Sequence, residues 1–205
     1  MDSLDKLMDY GKRAHGLSIK FKDKSAFMKI LGKILFFNPK FMSEYITTIG
    51  KTVYFPTEES FNSNRGNSAL ILAHELVHIN DSSEVGSVSF SYSYLFPQVL
   101  SLLAFFAIFS SNLWLLCLFF LLPAPAPFRT FWELRGYAMS DAVAKKITGD
   151  FLPMEFISKQ FTTGAYFFMW PFKNDIERRI GENRELIVSG KITEKIGCEE
   201  VLKCF

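Results

Sequence analysis

Cysteine and histidine are both scarce in this 205-residue chain, with three of each. Cys117, Cys198 and Cys204 are too few and too unevenly placed for a disulfide framework, and none forms the CxxC pair that holds zinc or cycles between redox states. A dominant charge of one sign is also missing. The 23 basic and 21 acidic residues leave a net +2, which rules out an electrostatically driven nucleic-acid binder as the default reading. The opening residues, MDSLDKLMDYGKRAHG, lack the apolar stretch and small-residue cleavage site of a secretory signal. The expectation is therefore no cleavable signal peptide, with any membrane targeting carried inside the chain. There is no internal repeat, and the 44 residues between Glu84 and Arg129 contain no charge at all.

What is plentiful is apolar and aromatic material: 49% hydrophobic residues, 16% aromatic, 23 Phe and a mean hydropathy of +0.14. That exceeds what a soluble core of this length needs, so some of it is expected to face lipid or a partner. The surplus is concentrated in residues 95–122. As an α-helix this segment would be about 42 Å long, enough for one bilayer span and too short for two. Ser110, Ser111 and Asn112 break it into arms of about fifteen and ten residues, and the Pro-Ala-Pro-Ala-Pro run at 123–127 follows as a stiff connector.

Residues 1–40 carry nine Lys or Arg against four Asp. Within them Phe27, Ile30, Leu31, Ile34 and Leu35 recur at helical spacing, predicting a basic amphipathic helix capped at Asp23 or Ser25 and stopped by Asn38-Pro39. Such a helix either packs on the domain or lies on a membrane surface. Thr52 to Phe55 read as a short strand, FNSNRGNS as a polar loop, and the run from Asn67 or Ser68 through Ile79 as a buried helix. Strict alternation from Val85 to Tyr94 reads as a strand or an extended lead-in. Further helices are expected over 129–146 ending at Gly149, from Asn174 or Asp175 to about Ser189, and over 193–202. The Phe-rich stretch 151–172 has no clear period and reads as core or interface material.

The sharp signal is His74-Glu75-Leu76-Val77-His78 inside the buried helix. Residues four apart share a helix face, so both imidazoles can reach one metal, with Glu75 placed to take a proton from its water. A shuffled chain of this composition would contain HExxH roughly 0.003 times. The alternative is two core histidines with incidental spacing. The segment resembles the active-site helix of the zincin metallopeptidases, and TVYFP upstream resembles the edge strand that in zincins binds extended substrate backbone.

Catalytic zinc takes three protein ligands and keeps one position open for water. His15 is far upstream, no HxxGxxH continuation follows His78, and no cysteine stands at a sensible position, which leaves a glutamate. Glu133 is the best candidate, set among Phe131, Trp132 and Leu134 on the next expected helix, where an unpaired carboxylate would be costly to bury. Pairing with Arg129 or Arg135 is the alternative. The arrangement is similar to gluzincins, in which a downstream helix supplies the Glu. More narrowly, it looks like the membrane metallopeptidases of the HtpX and CAAX-prenyl-protease type, with Gly136 and Tyr137 standing where that family's Glu-x-x-Ala-Asp helix has Ala and Asp.

A single crossing by 95–122 would put the histidines and Glu133 on opposite sides of a bilayer. The segment is then a re-entrant hairpin, the favoured reading, or it is buried in protein, or Glu133 is not the ligand. Tyr137 or Arg135 is a candidate oxyanion donor, and Asp141 a candidate to orient a histidine.

The resulting expectation is an α+β, helix-dominated single domain over 1–205, with a zincin-like active-site helix, a small sheet and a hydrophobic hairpin insertion. Its expected function is a Zn2+-dependent, membrane-associated metalloendopeptidase with His74, His78 and Glu133 as metal ligands and Glu75 and Tyr137 as catalytic residues. The partners are a peptide or protein substrate and, through 95–122, a membrane or hydrophobic assembly. The alternatives are an assembly protein with an inactive zincin fold and a peptidoglycan cross-link hydrolase.

Overall fold

The computed structural model describes residues 2–36, 38–122, 124–164 and 168–205. Along the chain run α1 (Ser3–His15), β1 (Ser18–Phe21), α2 (Ala26–Ile34), β2 (Thr47–Ile49), β3 (Thr52–Phe55), α3 (Glu58–Ser63), α4 (Arg65–Val85) and α5 (Ser87–Leu95). Two stretches of 3-10 turns follow, η1 (Gln98–Ile108) and η2 (Asn112–Leu121). The chain then forms α6 (Pro127–Thr148), α7 (Met154–Thr162), α8 (Lys173–Val188), α9 (Ile192–Ile196) and α10 (Glu199–Lys203). The class is α+β and helix-dominated with a small sheet, as the sequence implies. The chain divides into two compact units, Met1–Asn80 with Gly197–Phe205, and Asp81–Ile196.

In the first unit the sheet has the order β1-β3-β2, with β1 parallel and β2 antiparallel to β3. TVYF is thus a strand, as its β-branched and aromatic residues dictate, but it is the central one. Both its edges are paired, so the expected role of an open edge for substrate backbone cannot fall on β3. Val53 and Phe55 point into the core with Phe61, Leu72, Leu76 and Leu7. The expected polar loop is mostly helix: Thr57 and Ser60 form a reciprocal capping box that starts α3. Asn64 follows α3, and its side chain accepts from the Asn67 N–H in the first turn of α4. α1 approaches α4 through Gly11, where an added Cβ would stand 2.6 Å from Leu17 Cδ2 and 3.1 Å from Leu76 Cδ2. α2 starts where the spacing predicts, capped by Ser25, whose hydroxyl accepts from the Met28 N–H, but it ends at Ile34 with Leu35 as its C-cap, short of the expected stop at Asn38-Pro39.

In the second unit α6, α7 and α8 enclose a core of Leu134, Ile157, Phe161, Met169, Ile176 and Ile180. Two buried carboxylates are matched to arginines here, Asp81 to Arg135 and Asp141 to Arg184. Residues 87–95 form helix α5 instead of the strand that their alternation suggests. Phe90 packs on Trp132 of α6, and the Trp132 indole N–H donates to Ser93 Oγ, contacts that a pattern read along one segment does not contain. η1 and η2 fold back on each other, with Phe106 against Trp114 and the Trp114 indole N–H on Ser110 Oγ, so residues 98–121 are a hairpin turning at the polar break. Among the described residues no single helix is long and apolar enough to cross a membrane. The C-terminal helix expected over 193–202 is two helices, α9 and α10, divided at Gly197, whose φ of 68° ends the first. Pro123, which opens the expected stiff connector, and residues 165–167 of the Phe-rich stretch lie outside the described residues.

Candidate metal centre

α4 is packed on the faces around the motif, with Leu72, Ala73, Leu76, Val77 and Ile79 all buried. His74 and His78, one turn apart, are buried on a common face. Their Nε2 atoms stand 3.1 Å apart, with ring centroids separated by 4.8 Å and planes at 77°. Two nitrogen ligands at ~2.0–2.1 Å from one tetrahedral ion stand about 3.3 Å apart, so this spacing suits a shared metal. Glu75 is half-buried, and its Oε2 accepts from the Thr48 hydroxyl of β2 at 2.7 Å. Lys22, at the end of β1, is fully buried. Its ammonium donates to the Phe41 carbonyl at 2.6 Å and lies 3.9 Å from the centre of the Phe41 ring. Burial pulls the Lys22 ammonium down to about 8, with the negative charge of Glu75 working in the opposite direction.

Glu133 of α6 is buried, and one ligand-capable atom from each of His74, His78 and Glu133 lies within 4.8 Å of the others. This buried group could hold a metal ion. Two imidazoles and a carboxylate are a donor set that catalytic zinc takes, and the chemistry of the three side chains fits such an ion. The Tyr94 hydroxyl of α5 donates to Glu133 Oε1, fixing the carboxylate from behind. The two arginines weighed as partners for Glu133 are engaged otherwise. Arg129 donates to the Tyr94 carbonyl and to Gln98 Oε1. Arg135 grips Asp81 with two nitrogens and also reaches the carbonyls of Lys195 and Ile196, which takes it out of consideration as an oxyanion donor.

Asp141 does not orient a histidine. It binds Arg184 and accepts from the Leu152 N–H; burial pushes its carboxyl up while Arg184 works against that shift. Tyr137, one turn beyond Glu133 on α6, is half-buried, and its ring packs on Phe161. His15 faces Tyr10 within α1. Thr48, Lys22 and Tyr94 are the site residues that sequence reasoning misses. None lies in a recognisable motif, and Tyr94 falls in the segment whose alternation suggests a strand. No family model matches the chain, and neither the curated proteins nor the solved structures provide a match.

Proposed function

We propose that this chain is a zinc-dependent metallopeptidase of gluzincin type, tethered to a membrane by the hairpin of η1 and η2. The observation that carries the reading is the buried group of His74, His78 and Glu133 with Glu75 next to the first histidine in the chain. When bound, a divalent ion lowers the pKa of a water and polarises the scissile carbonyl. Glu75 accepts the proton of that water and passes it to the leaving amine, and the Thr48 hydroxyl holds its carboxylate in place. Tyr94 holds the Glu133 carboxylate through its hydroxyl, which donates to Oε1. Tyr137, with Arg135 committed elsewhere, is the candidate donor to the developing oxyanion. Substrate backbone, excluded from β3, pairs with the outer edge of β2, the strand that carries Thr48.

The hairpin supports the membrane reading by its exposure and its length. Phe105, Ile108, Phe109, Leu113, Leu116 and Phe119 are all exposed in a segment without charge. Arms of eleven and ten residues at ~2.0 Å per residue extend about 20 Å, short of a hydrocarbon core of about 30 Å. A re-entrant insertion follows, and both ends of the hairpin stay on one side.

The test is a pair of variants assayed for bound metal and for cleavage of an unstructured protein such as casein. His74→Ala loses zinc and activity together, whereas Glu75→Gln keeps zinc and loses about 10²- to 10⁴-fold in turnover. Undiminished cleavage by Glu75→Gln would overturn the assignment.

A further inference from the structure

Residues 24–43 contain four lysines and no acidic residue; Lys24 pairs with Glu58 and Lys40 with Glu44, so the charge that α2 itself offers is that of Lys29 and Lys33. Within this stretch α2 buries only part of its apolar arc. Met28 is fully buried and Leu31 and Leu35 are half-buried, a stripe at i, i+3 and i+7 that faces the core of its own unit. Beside it Phe27, Ile30 and Ile34 form a second stripe at the same spacing, 54%, 60% and 63% exposed, and Phe36 beyond the helix is 82% exposed. Lys29 and Lys33, both exposed, border the second stripe on its far side.

From this we infer that α2 is an interfacial helix that docks on an anionic lipid bilayer. Four bulky apolar side chains in the open, bordered by Lys29 and Lys33, match the two layers of such a surface. The rings and branched chains enter the acyl boundary while the lysine stems run along it and the ammonium groups reach the lipid phosphates. Nine residues make a helix about 13.5 Å long, which can lie in the interface and cannot cross it. The helix is already capped and folded, so docking does not have to order it. One apolar element alone gives weak, reversible attachment, and a basic patch supplies the second signal that makes it durable. This inference is independent of the metal centre and adds a charge-reading contact to the apolar hairpin.

The experiment is hydrogen–deuterium exchange on the full chain, followed in the peptide covering residues 26–36, with and without vesicles. Phosphatidylcholine vesicles containing 30% phosphatidylserine protect this peptide, pure phosphatidylcholine vesicles do not, and raised salt removes the protection. Lys29→Glu with Lys33→Glu weakens binding to the anionic vesicles by about thirty-fold at low salt or more. Ile30→Ser with Ile34→Ser, at exposed positions that leave the core intact, abolishes the local protection while the hairpin still partitions. Equal protection on neutral and anionic vesicles would overturn the inference, as would an α2 that exchanges freely while the chain is vesicle-bound. Protection that appears without lipid and scales with protein concentration, or that only an acidic protein confers, would assign this face to a protein partner instead.

Discussion

At the scale of single residues, the site depends on groups that aim other groups. Tyr94 donates to Glu133, and a donor behind a metal-binding carboxylate typically accounts for 10- to 100-fold in affinity. Tyr94→Phe therefore keeps the ring and the fold but weakens zinc binding by about that factor, measurable by competition with a chromophoric chelator. Lys22 makes a different prediction, about pH. Its folded value of about 8 lies below the ordinary 10.5, so between these limits the native state has lost a proton that the unfolded chain still holds. Stability then rises with pH across that window, by about 3 kcal/mol at full extent. Urea unfolding at pH 7.5 and 10.5 should show this gain in the native chain and lose it in Lys22→Met, with other titrations cancelling in the comparison. The pair His74 and His78, with Glu75 between them, was legible because a four-residue spacing is a local property of a helix. Lys22 and Thr48 were not, because their importance comes from β1 and β2 arriving beside Glu75.

At the scale of elements, the sequence reads well where one segment determines its own state and poorly where a neighbour decides. α2, α6 and α8 lie close to their expected positions because their end signals are local: Ser25 caps α2, Gly149 ends α6 and Gly190 follows α8. α5 was hidden because Ser–aromatic alternation mimics a strand, while the partner that makes it a helix, Trp132, lies 39 residues from Ser93. The central position of β3 was equally invisible, since β1 and β2 both have to be placed before an edge can be identified. The approach of α1 to α4 at Gly11 carries a stability prediction. A valine there meets Leu17 and Leu76 well inside contact distance and costs about 1–3 kcal/mol, read from a shifted denaturation midpoint. Because Leu76 lies inside the HELVH motif, the same variant is expected to weaken metal binding.

At the scale of the whole molecule, the chain is near-neutral and carries a 44-residue segment without charge, the feature on which the proposed membrane tether rests. The hairpin reading requires Glu84 and Arg129, which bracket that segment, to be on the same side of a bilayer. In sealed vesicles, protease sites engineered beside both residues should be cut together or protected together. Cleavage of one and protection of the other would mean a full crossing. The central claim, however, is the metal. Anomalous diffraction at the zinc edge, on protein purified without chelator, should place one ion at about 2.0–2.2 Å from His74 Nε2, His78 Nε2 and a Glu133 carboxylate oxygen. An ion bound elsewhere, or a ligand shell at the histidines that excludes Glu133, would contradict the account.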